Sequence, residues 1–522
     1  MKRRLKYKVN DKTVERDINY IPVRYIIAML LTVLEIVGVI ASVVICCIYI
    51  PYFYIAAFLT TVGCVISIVA SGDNPDYKVP WLIFVITVPI VGFMLYLMFY
   101  SRKLKRKFVV RLRELRARLY KNDSATVVSE LEREDILAAS CARLLSRTSG
   151  AGLYHAEHVI YYPLGEDAHR AMLADLEGAR RFIFLEFFII EEGKFWGSIL
   201  EILKRKAKEG VDVRVVYDDI GCMSTLPGNY FKLLGTWGIK ATPFSRLRGQ
   251  ADSEFNNRSH RKILVIDGAV GYTGGVNLAD EYINETERFG HWKDVAVRIT
   301  GECVNELTSL FLTDYGINVK SVDDSFEPFF QQSKTSHGEG YILPFGDGPR
   351  PIYERRVAKG AIMHMLSTAK RYVYIMTPYL VIDSELCLAL EGAALRGVDV
   401  RLILPHIPDK KLVFMMARSL YPRLMSAGVR IYEYESGFVH AKVYLADGES
   451  AIVGTVNMDY RSLVHHFENA VYMYRTECIS DIKRDFDSML SDKCIVADVS
   501  MAKAGPIKRL FLAVLKLLAP ML

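Results

Sequence analysis

The stretch Ser259-His260-Arg261-Lys262-Ile263-Leu264-Val265-Ile266-Asp267-Gly268 places an imidazole and an amine directly before a run of apolar residues and a turn. Residues i and i+2 of an extended chain lie on the same face, so His260 and Lys262 project side by side. Residues 263–266 predict a buried strand, and Asp267-Gly268 predicts a tight turn that returns residues 269–273 as its partner. The stretch therefore predicts a strand that begins with a cationic pair.

A second copy of this stretch, residues 440–448 (HAKVYLADG), lies 180 residues after the first, from His260 to His440. The spacing of histidine, lysine and aspartate is the same in both copies. A glycine follows each aspartate by seven residues and an asparagine follows it by ten, at Gly274, Asn277, Gly454 and Asn457. A chance origin of both copies is therefore disfavoured.

The repeat extends beyond the motif. Residues 209–216 (EGVDVRVV) are echoed by residues 396–403 (RGVDVRLI), and residues 179–182 (ARRF) by residues 369–372 (AKRY). The chain thus contains two related halves, each of about the size of a domain.

Each half alternates β-rich apolar runs with stretches of helical period. The expected strands are 182–190, 211–217, 372–380 and 398–404, and the expected helices are 195–208 and 385–394. This alternation predicts an α/β fold with a mostly parallel sheet in each half. If the halves pack about a pseudo-two-fold axis, both His-Lys pairs meet in one cleft and form a single active site.

The paired HxKxxxxD motifs with their trailing glycine and asparagine resemble the phospholipase D superfamily over about residues 150–495. The apolar N-terminus, Thr377-Pro378-Tyr379, residues 396–401 and the apolar tail near Leu510-Phe511 resemble, within it, the bacterial cardiolipin synthase family. The resemblance implies two repeated phospholipase D-like α/β domains that form one catalytic unit after transmembrane helices. It also implies joining of two phosphatidylglycerols into cardiolipin with release of glycerol, and it favours His260 as the nucleophile.

The residue types support phosphodiester chemistry independently of the family. A phosphodiester repels nucleophiles, so its site needs cations and an attacking group that forms a good intermediate. One neutral histidine attacks phosphorus to give a phosphohistidine, while the other, protonated, gives its proton to the leaving alcohol. Lys262, Lys442, Asn277 and Asn457 would hold the phosphoryl oxygens. The residues themselves leave open which histidine is the nucleophile.

Four carboxylates are candidates for supporting roles. Asp267 and Asp447 complete the motifs and are candidate catalytic residues, but their favoured interpretation is that of turn residues which bind local N–H groups. Each imidazole also needs a partner that fixes its tautomer. Asp294 and Glu468 follow their motifs in comparable places and are candidates for this role, with surface carboxylates as the alternative.

The sequence predicts no metal site and no cofactor. It contains neither H-E-x-x-H nor C-x-x-C, and His155 with His158 is an isolated pair. The nine cysteines are scattered, which favours reduced core or membrane residues over a disulfide framework.

Three segments of the first hundred residues are candidate membrane spans, at 25–50, 52–70 and 81–100, since a span needs about 20 apolar residues. Glu35 lies inside the first, and we expect it to face another helix or to be protonated. Clusters of Lys and Arg at 2–8 and at 102–107 both favour the cytoplasm, which three full spans cannot satisfy. We therefore expect a cell-membrane protein with a cytoplasmic catalytic region and one incomplete span.

Two further segments are amphipathic. Leu112, Leu115 and Leu119 form an apolar stripe on an arginine-rich helix, which predicts either packing on the catalytic core or binding to anionic headgroups. Residues 506–522 are mostly apolar with three cationic residues and predict a helix that lies in the membrane interface. The net charge of +7 fits an anionic lipid surface better than a nucleic acid.

These features divide the chain into a basic N-terminal segment at 1–24, a transmembrane region at 25–100, a basic linker helix at 101–150, a first phospholipase D-like domain at 151–325, a second at 326–500, and an apolar-basic interfacial tail at 501–522.

Three functions remain open at the level of sequence. The first is membrane-bound phosphatidyl transfer, with phosphatidylglycerol and anionic membrane lipids as partners. The second is phospholipase D-type hydrolysis or transfer to another headgroup. The third is a membrane-anchored phosphodiesterase or nuclease, which the apolar tail and the lack of a basic-aromatic stripe disfavour; a nucleic acid partner is not expected. A structural membrane protein with an inactive site is disfavoured because both motifs are intact.

Overall fold

The structure, a computed structural model, describes residues 3–9, 12–18, 23–49, 52–97, 106–119, 124–246, 256–319, 325–331, 338–503 and 505–518. The N-terminal part contains a hairpin and four helices: β1 (Arg3–Val9), β2 (Lys12–Ile18), α1 (Val23–Tyr49), α2 (Phe53–Ala70), α3 (Pro75–Thr87) and α4 (Pro89–Leu95). Three helices connect it to the sheets: α5 (Arg106–Arg118), α6 (Ala125–Glu134) and α7 (Ile136–Ser149).

The expectation of several transmembrane helices among the three candidate segments is not confirmed. Within the described residues one helix, α2, is long and apolar enough to cross a bilayer, and α1 contains a shorter apolar segment, Met29–Ile45. The third predicted span is broken, because α3 ends at Thr87 and α4 begins at Pro89. Proline lacks an N–H and disfavours helical geometry in the residue before it. Glu35 lines a cavity together with residues of α1, α4 and the first residue of α2, but its side chain is exposed, so the expectation that it faces another helix or is protonated stays a prediction.

The linker region is three helices rather than the one expected at 101–150. Its apolar stripe is buried, with Leu112, Leu115 and Leu119 at most 5% exposed, and it belongs to the core between the two halves. The stripe therefore packs on the catalytic core, and the alternative of a headgroup-binding stripe is wrong.

The first half folds around a seven-stranded sheet. Its elements are β4 (Val159–Tyr162), α8 (Gly165–Glu177), β5 (Phe182–Phe187), α9 (Lys194–Lys208), β6 (Asp212–Asp218), α10 (Tyr230–Thr236), β7 (Lys240–Phe244), β8 (Lys262–Ile266), β9 (Val270–Gly274), β10 (His291–Lys293), β11 (Ala296–Thr300) and α11 (Val304–Asn318). The strand order is β4-β11-β9-β8-β5-β6-β7, and β10 stands outside the sheet.

The second half folds around a nine-stranded sheet. Its elements are β3 (Tyr154–His155), β12 (Tyr341–Asp347), α12 (Val357–Thr368), β13 (Tyr372–Met376), β14 (Leu380–Val381), α13 (Ser384–Leu395), β15 (Asp399–Pro405), α14 (Lys411–Ser426), β16 (Arg430–Tyr434), β17 (Gly437–Val439), β18 (Val443–Ala446), β19 (Ser450–Gly454), β20 (Met458–Asp459), β21 (Glu468–Tyr474), α15 (Ile479–Asp492), β22 (Cys494–Val496) and α16 (Pro506–Leu518). The order is β22-β16-β15-β13-β18-β19-β21-β12-β3.

The two sheets repeat one topology, because β7 to β4 of the first correspond in order to β16 to β12 of the second. The prediction of mostly parallel sheets is wrong. Parallel pairing is confined to β5-β6-β7 and to β13-β15-β16, and the remaining neighbours within both large sheets are antiparallel. The β-α-β units are parallel as expected, whereas each motif strand begins an antiparallel meander. One strand also crosses the expected domain boundary, since β3 pairs with β12.

The two sheets share one central core. Phe184 and Val265 of the first sheet and Val443 and Val471 of the second belong to the same buried cluster. Helices α8 and α9 cover the outer face of the first sheet, and α7, α12 and α13 cover that of the second. The motif strands β8 and β18 therefore contribute side chains to the core between the two sheets.

The motif aspartates are turn residues at the far ends of these strands. Asp267 has a φ of 54° and its carboxylate accepts hydrogen bonds of 2.7–2.8 Å from the backbone N–H groups of residues 180, 181 and 182. Asp447 has a φ of 57° and accepts from residues 370, 371 and 372 at 2.7–2.9 Å. A five-residue strand separates Asp267 from Lys262 by about 16 Å. These contacts support the interpretation of both aspartates as turn residues, and we propose that neither takes part directly in catalysis.

We predict that Asp267→Ala lowers stability and leaves the chemistry intact. Loss of three charge-assisted hydrogen bonds should destabilise the chain by roughly 1–3 kcal/mol, seen as a lower melting temperature. Cleavage of a soluble phosphodiester per folded molecule should stay within about threefold of the unmodified chain. Asp267→Asn, which keeps part of the hydrogen bonding, is the matched control. Loss of activity at an unchanged melting temperature would return Asp267 to the catalytic residues.

Candidate active site

His260 is positioned by a contact between the two halves. Ser259 forms a parallel bridge with Phe467 of the second half, and the His260 N–H donates to the Phe467 carbonyl at 2.8 Å. The side chain of His260 is nearly buried, with 6% of the residue exposed. The first motif therefore begins where the second half meets it.

His440 is positioned in the same way by the first half. Strands β10 and β17 pair in parallel, with Lys293 opposite Val439. The His440 N–H donates to the Lys293 carbonyl at 2.7 Å, and His440 is 7% exposed. The pseudo-two-fold relation of the halves thus holds at the level of single backbone hydrogen bonds.

The two candidate carboxylates are exchanged between the halves. Nδ1 of His260 lies 2.9 Å from Oε2 of Glu468, and Nδ1 of His440 lies 2.6 Å from Oδ2 of Asp294. Both carboxylates are fully buried, so the alternative of surface carboxylates is wrong. An ionised carboxylate only accepts, so Nδ1 carries the proton and Nε2 keeps its lone pair for chemistry.

The two motif lysines occupy matching positions. Lys262 Nζ donates to the carbonyl of His260 at 2.9 Å, and Lys442 Nζ donates to the carbonyl of His440. Both residues are about 1% exposed or less. Each ammonium is thus held beside the histidine of its own motif in a site that excludes most water.

Burial and mutual repulsion change the titration of these groups. Burial, together with Lys442, lowers the pKa of Lys262 to about 7, and burial lowers that of Lys442 to about 8. Burial and Lys442 lower the pKa of His440 to about 4, and burial and Lys262 hold that of His260 well below its usual value. Lys442 acts on Lys262, and both lysines act on His260 and His440. Such mutual effects on pKa require that the four groups lie close together.

The asparagines of the motifs make contacts inside the protein. Asn277 accepts from the Ile189 N–H at 3.1 Å and donates to the Tyr282 hydroxyl at 2.8 Å. Nδ2 of Asn457 donates to Asp459 at 3.2 Å, and Oδ1 of Asn457 has no hydrogen-bond partner among the described residues. Asn277 therefore also fixes Tyr282, whose ring centroid lies 5.3 Å from that of His440.

The sequence reasoning missed His466. Its ring centroid lies 5.5 Å from that of His260, and neither ring nitrogen has a hydrogen-bond partner within the described part of the chain. Burial lowers the pKa of His466 to about 3. Its Nδ1 lies 3.7 Å from Oε1 of Glu468, longer than a hydrogen bond. A buried imidazole beside the site is a candidate contact for substrate. The available signal was its place in residues 466–469 (HFEN), two residues before Glu468.

His466 also completes one group that fits a metal ion. Ligand atoms of His260, His466 and Glu468 lie within 4.8 Å of one another, a set that suits zinc by residue type. Glu468 also accepts from His260 and from Thr455 Oγ1. The sequence-based expectation of no metal is therefore open to a direct test.

Two buried arginines, which the sequence motifs do not predict as site residues, hold the chain around His260. Arg258 Nε lies 3.0 Å from Asp218, and Arg261 Nη1 lies 2.8 Å from Asp314. All four side chains are at most 2% exposed. The residues on both sides of His260 are thus fixed by ion pairs to the first half.

A glycine permits the close approach of Asp294. A Cβ atom on Gly275 would lie 2.0 Å from Oδ1 of Asp294. Gly275 lies directly after the motif glycine Gly274. The glycine pair thus makes room for the carboxylate that orients His440.

Comparisons with known proteins agree with this geometry. A family model described as "Cardiolipin synthase, PLD-like domain" matches residues 172–307 and 362–490, and one described as "Phospholipase_D-nuclease N-terminal" matches residues 59–99. The first match covers both motifs. The second indicates a membrane protein, although one apolar helix is weak support for several spans.

Similar proteins cover most of the chain. The cardiolipin synthase of Geobacillus kaustophilus is 36% identical over 79% of this chain and 82% of its own length. Cardiolipin synthase 2 of Bacillus cereus is 32% identical over 86% of this chain and 87% of its own length. A phosphatidylserine synthase structure from Haemophilus influenzae has a TM-score of 0.57 at 14% identity, covers 74% of this chain and 100% of its own, and shows the fold alone. By its paired motifs and its relatives, the chain belongs to the cardiolipin synthase family with phospholipase D-like domains.

Proposed function

We propose that this protein is a membrane-bound cardiolipin synthase. It would transfer the phosphatidyl group of one phosphatidylglycerol to a hydroxyl of another and release glycerol. The observation that carries the proposal is the reciprocal pairing of two buried histidines with two buried carboxylates beside two lysines. The named relatives support cardiolipin synthesis rather than a nuclease, and no contact among the described residues favours another headgroup.

The first half of the reaction requires a nucleophile and an acid. Nε2 of one histidine attacks phosphorus and forms a P–N bond, while the P–O bond to glycerol breaks. The other histidine, protonated at Nε2, gives its proton to the departing oxygen. Lys262 and Lys442 neutralise the phosphoryl oxygens as charge builds up in the transition state. We assign the attack to His260, as the resemblance to the phospholipase D superfamily favours. Burial and the lysines lower the pKa values of both His260 and His440, so either imidazole has its lone pair available.

The second half of the reaction reverses the proton transfer. The neutral histidine, His440 in this assignment, takes the proton of the acceptor hydroxyl as its oxygen attacks phosphorus. The P–N bond breaks and His260 is restored. Burial and Lys442 oppose protonation of His440 and lower its pKa to about 4. The anionic phosphate of a bound lipid offsets the lysine charge and favours the protonated form that the first half needs.

Several features support a site at the membrane surface. Helix α16 keeps Ile507, Leu510 and Val514 at least half exposed, while Leu512 and Leu515 pack on Met416 of α14. The tail thus presents apolar surface beside the catalytic body. We propose that the protein is a cell-membrane protein whose catalytic region faces the cytoplasm, with α2 as a span and the broken α3-α4 segment as the incomplete one.

The proposed function predicts the products of one assay. Purified protein in vesicles with labelled phosphatidylglycerol, without nucleotide, should form cardiolipin and glycerol. Phosphatidic acid as the only lipid product would identify a hydrolase instead. The same assay after exhaustive chelation should give unchanged rates. Abolition by EDTA and recovery with one stoichiometric divalent ion would make His260, His466 and Glu468 metal ligands.

We predict that both halves are needed for turnover. His260→Ala and His440→Ala should each lower the rate by on the order of 10³-fold or more, because one imidazole cannot attack and protonate at once. The double variant should be little worse than either single variant, as the two act as a unit. The matched control is His158→Ala, since that side chain is 75% exposed. Near-normal turnover in either single variant would refute the shared site.

We predict that Glu468 sets the pH range of the reaction. The lysines lose their charge as pH rises through their pKa values of about 7 and about 8, so kcat/KM should fall above that range. Glu468 raises both lysine pKa values by its negative charge. Glu468→Gln should therefore move the alkaline fall of kcat/KM to lower pH.

The same variant should lower the maximal rate by about 10²-fold to 10⁴-fold, because the amide no longer selects one tautomer of His260. Glu477→Gln, a 57% exposed glutamate of the same half, is the matched control and should leave the profile unchanged. An alkaline fall at the original pH in Glu468→Gln would show that the lysines do not set it.

A further inference from the structure

A cavity of about 880 Å³ lies outside the catalytic residues, where the turn between α2 and α3 meets the second half. Its walls are that turn, helix α7, the segment leading into α12 with its first turns, the start of α13, and the segment around Tyr460. None of His260, Lys262, His440 and Lys442 lines it. The cavity is large enough for a phospholipid headgroup.

The lining is strongly cationic. Six cationic side chains face three carboxylates, a net charge of +3: Arg143, Arg147, Arg350, Arg355, Arg356 and Lys359 against Asp73, Asp383 and Glu385. Lys359 is paired with both Asp383 and Glu385, and Arg350 lies 3.8 Å from Asp73. The internal carboxylates are thus already engaged by two of the cations.

Two of the lining arginines have no polar partner among the described residues. Arg143 pairs with Glu132 at 2.7 Å, and Arg356 donates to the Val464 carbonyl at 2.9 Å. Within the described ranges, Arg147 and Arg355 form neither an ion pair nor a hydrogen bond, and both are exposed. Guanidinium groups bind phosphate oxygens in bidentate geometry, so such a pair suits an anionic phosphate.

The position of the cavity next to α2 indicates that the bound phosphate belongs to a lipid headgroup. Residues 72–77 begin two residues after the end of α2, the helix that can cross a bilayer, so they lie at the level of the lipid headgroups. Ile66 and Val69 near that end of α2, and Val79 and Ile83 of α3, are 42–62% exposed. These residues offer apolar surface for acyl chains next to the cationic cavity.

We propose that this cavity binds the headgroup of an anionic phospholipid, at a site separate from the catalytic cleft. The phosphodiester would lie between Arg147 and Arg355, and the acyl chains along α2 and α3. The site would fasten the catalytic body to a lipid at the membrane surface. This inference does not rest on the proposed reaction, because binding requires no turnover.

The test is binding of short-chain phosphatidylglycerol to the full chain in an uncharged detergent, with His440→Ala as background to prevent turnover. Arg147→Gln with Arg355→Gln should weaken binding at the cavity at least tenfold. The matched control is Arg170→Gln with Arg484→Gln, two arginines that are 75% and 77% exposed and lie outside the cavity. Equal affinity in the two double variants would overturn the proposal.

Two further measurements identify the ligand and its place. Phosphatidylcholine of the same chain length should bind at least tenfold more weakly, and inorganic phosphate alone should not bind in the same concentration range. Inorganic phosphate binding as tightly as the lipid would overturn the lipid assignment. In the chain with unmodified arginines, phosphatidylglycerol with a photoreactive headgroup should label residues 72–77 or 350–360. Labelling confined to the catalytic cleft would overturn it as well.

Discussion

The exchange of Asp294 and Glu468 between the two halves is the constraint on which the active site depends. Each histidine takes its backbone alignment and its carboxylate partner from the half that does not contain it. The register explains how: Lys293 lies opposite Val439, so Asp294 reaches His440, and Ser259 lies opposite Phe467, so Glu468 reaches His260. Neither half alone could hold its histidine in a defined tautomer. The single active site therefore requires both copies of the repeated fold.

Because Asp294 and Glu468 are buried, their charges must be compensated by neighbouring groups. A buried ionised carboxylate is strongly destabilising unless it is paired and hydrogen-bonded. Burial alone would raise the pKa of Asp294, but His440 and Lys442 outweigh it and lower that pKa. The same carboxylate raises the pKa of Lys442. The charges of the site therefore stabilise one another across the interface, and removal of any one leaves another buried without compensation.

Most residues of the site could be identified from the sequence, but the contacts between the two halves could not. The motif strands, the returning strand after Asp267-Gly268 and the repeat could be predicted because period and spacing are local properties. Strand direction in the sheets could not, because alternation of strands and helices does not show which strands are neighbours. Asp294 and Glu468 were found by their position after the motifs, but their exchange depends on contacts between residues 146 and 208 positions apart. The leucine stripe of α5 had two interpretations because the helix that covers it, α11, lies far along the chain.

The turn between α2 and α3 is in direct contact with the second half. Asp76 accepts from the N–H of Ser384 at 2.6 Å, and Asn74 donates to Asp383 at 3.1 Å, so the turn after α2 is fastened to α13. The Tyr77 ring centroid lies 5.8 Å from that of His465, three residues before Glu468.

This contact bears on the balance between transfer and hydrolysis. Water competes with any lipid hydroxyl for a phosphohistidine, so transfer requires a dry site that holds the acceptor in place. His260 and His440 are nearly buried, and Glu468, which orients His260, follows a segment in contact with α3. The packing of the turn after α2 against the second half therefore extends to the segment that precedes Glu468.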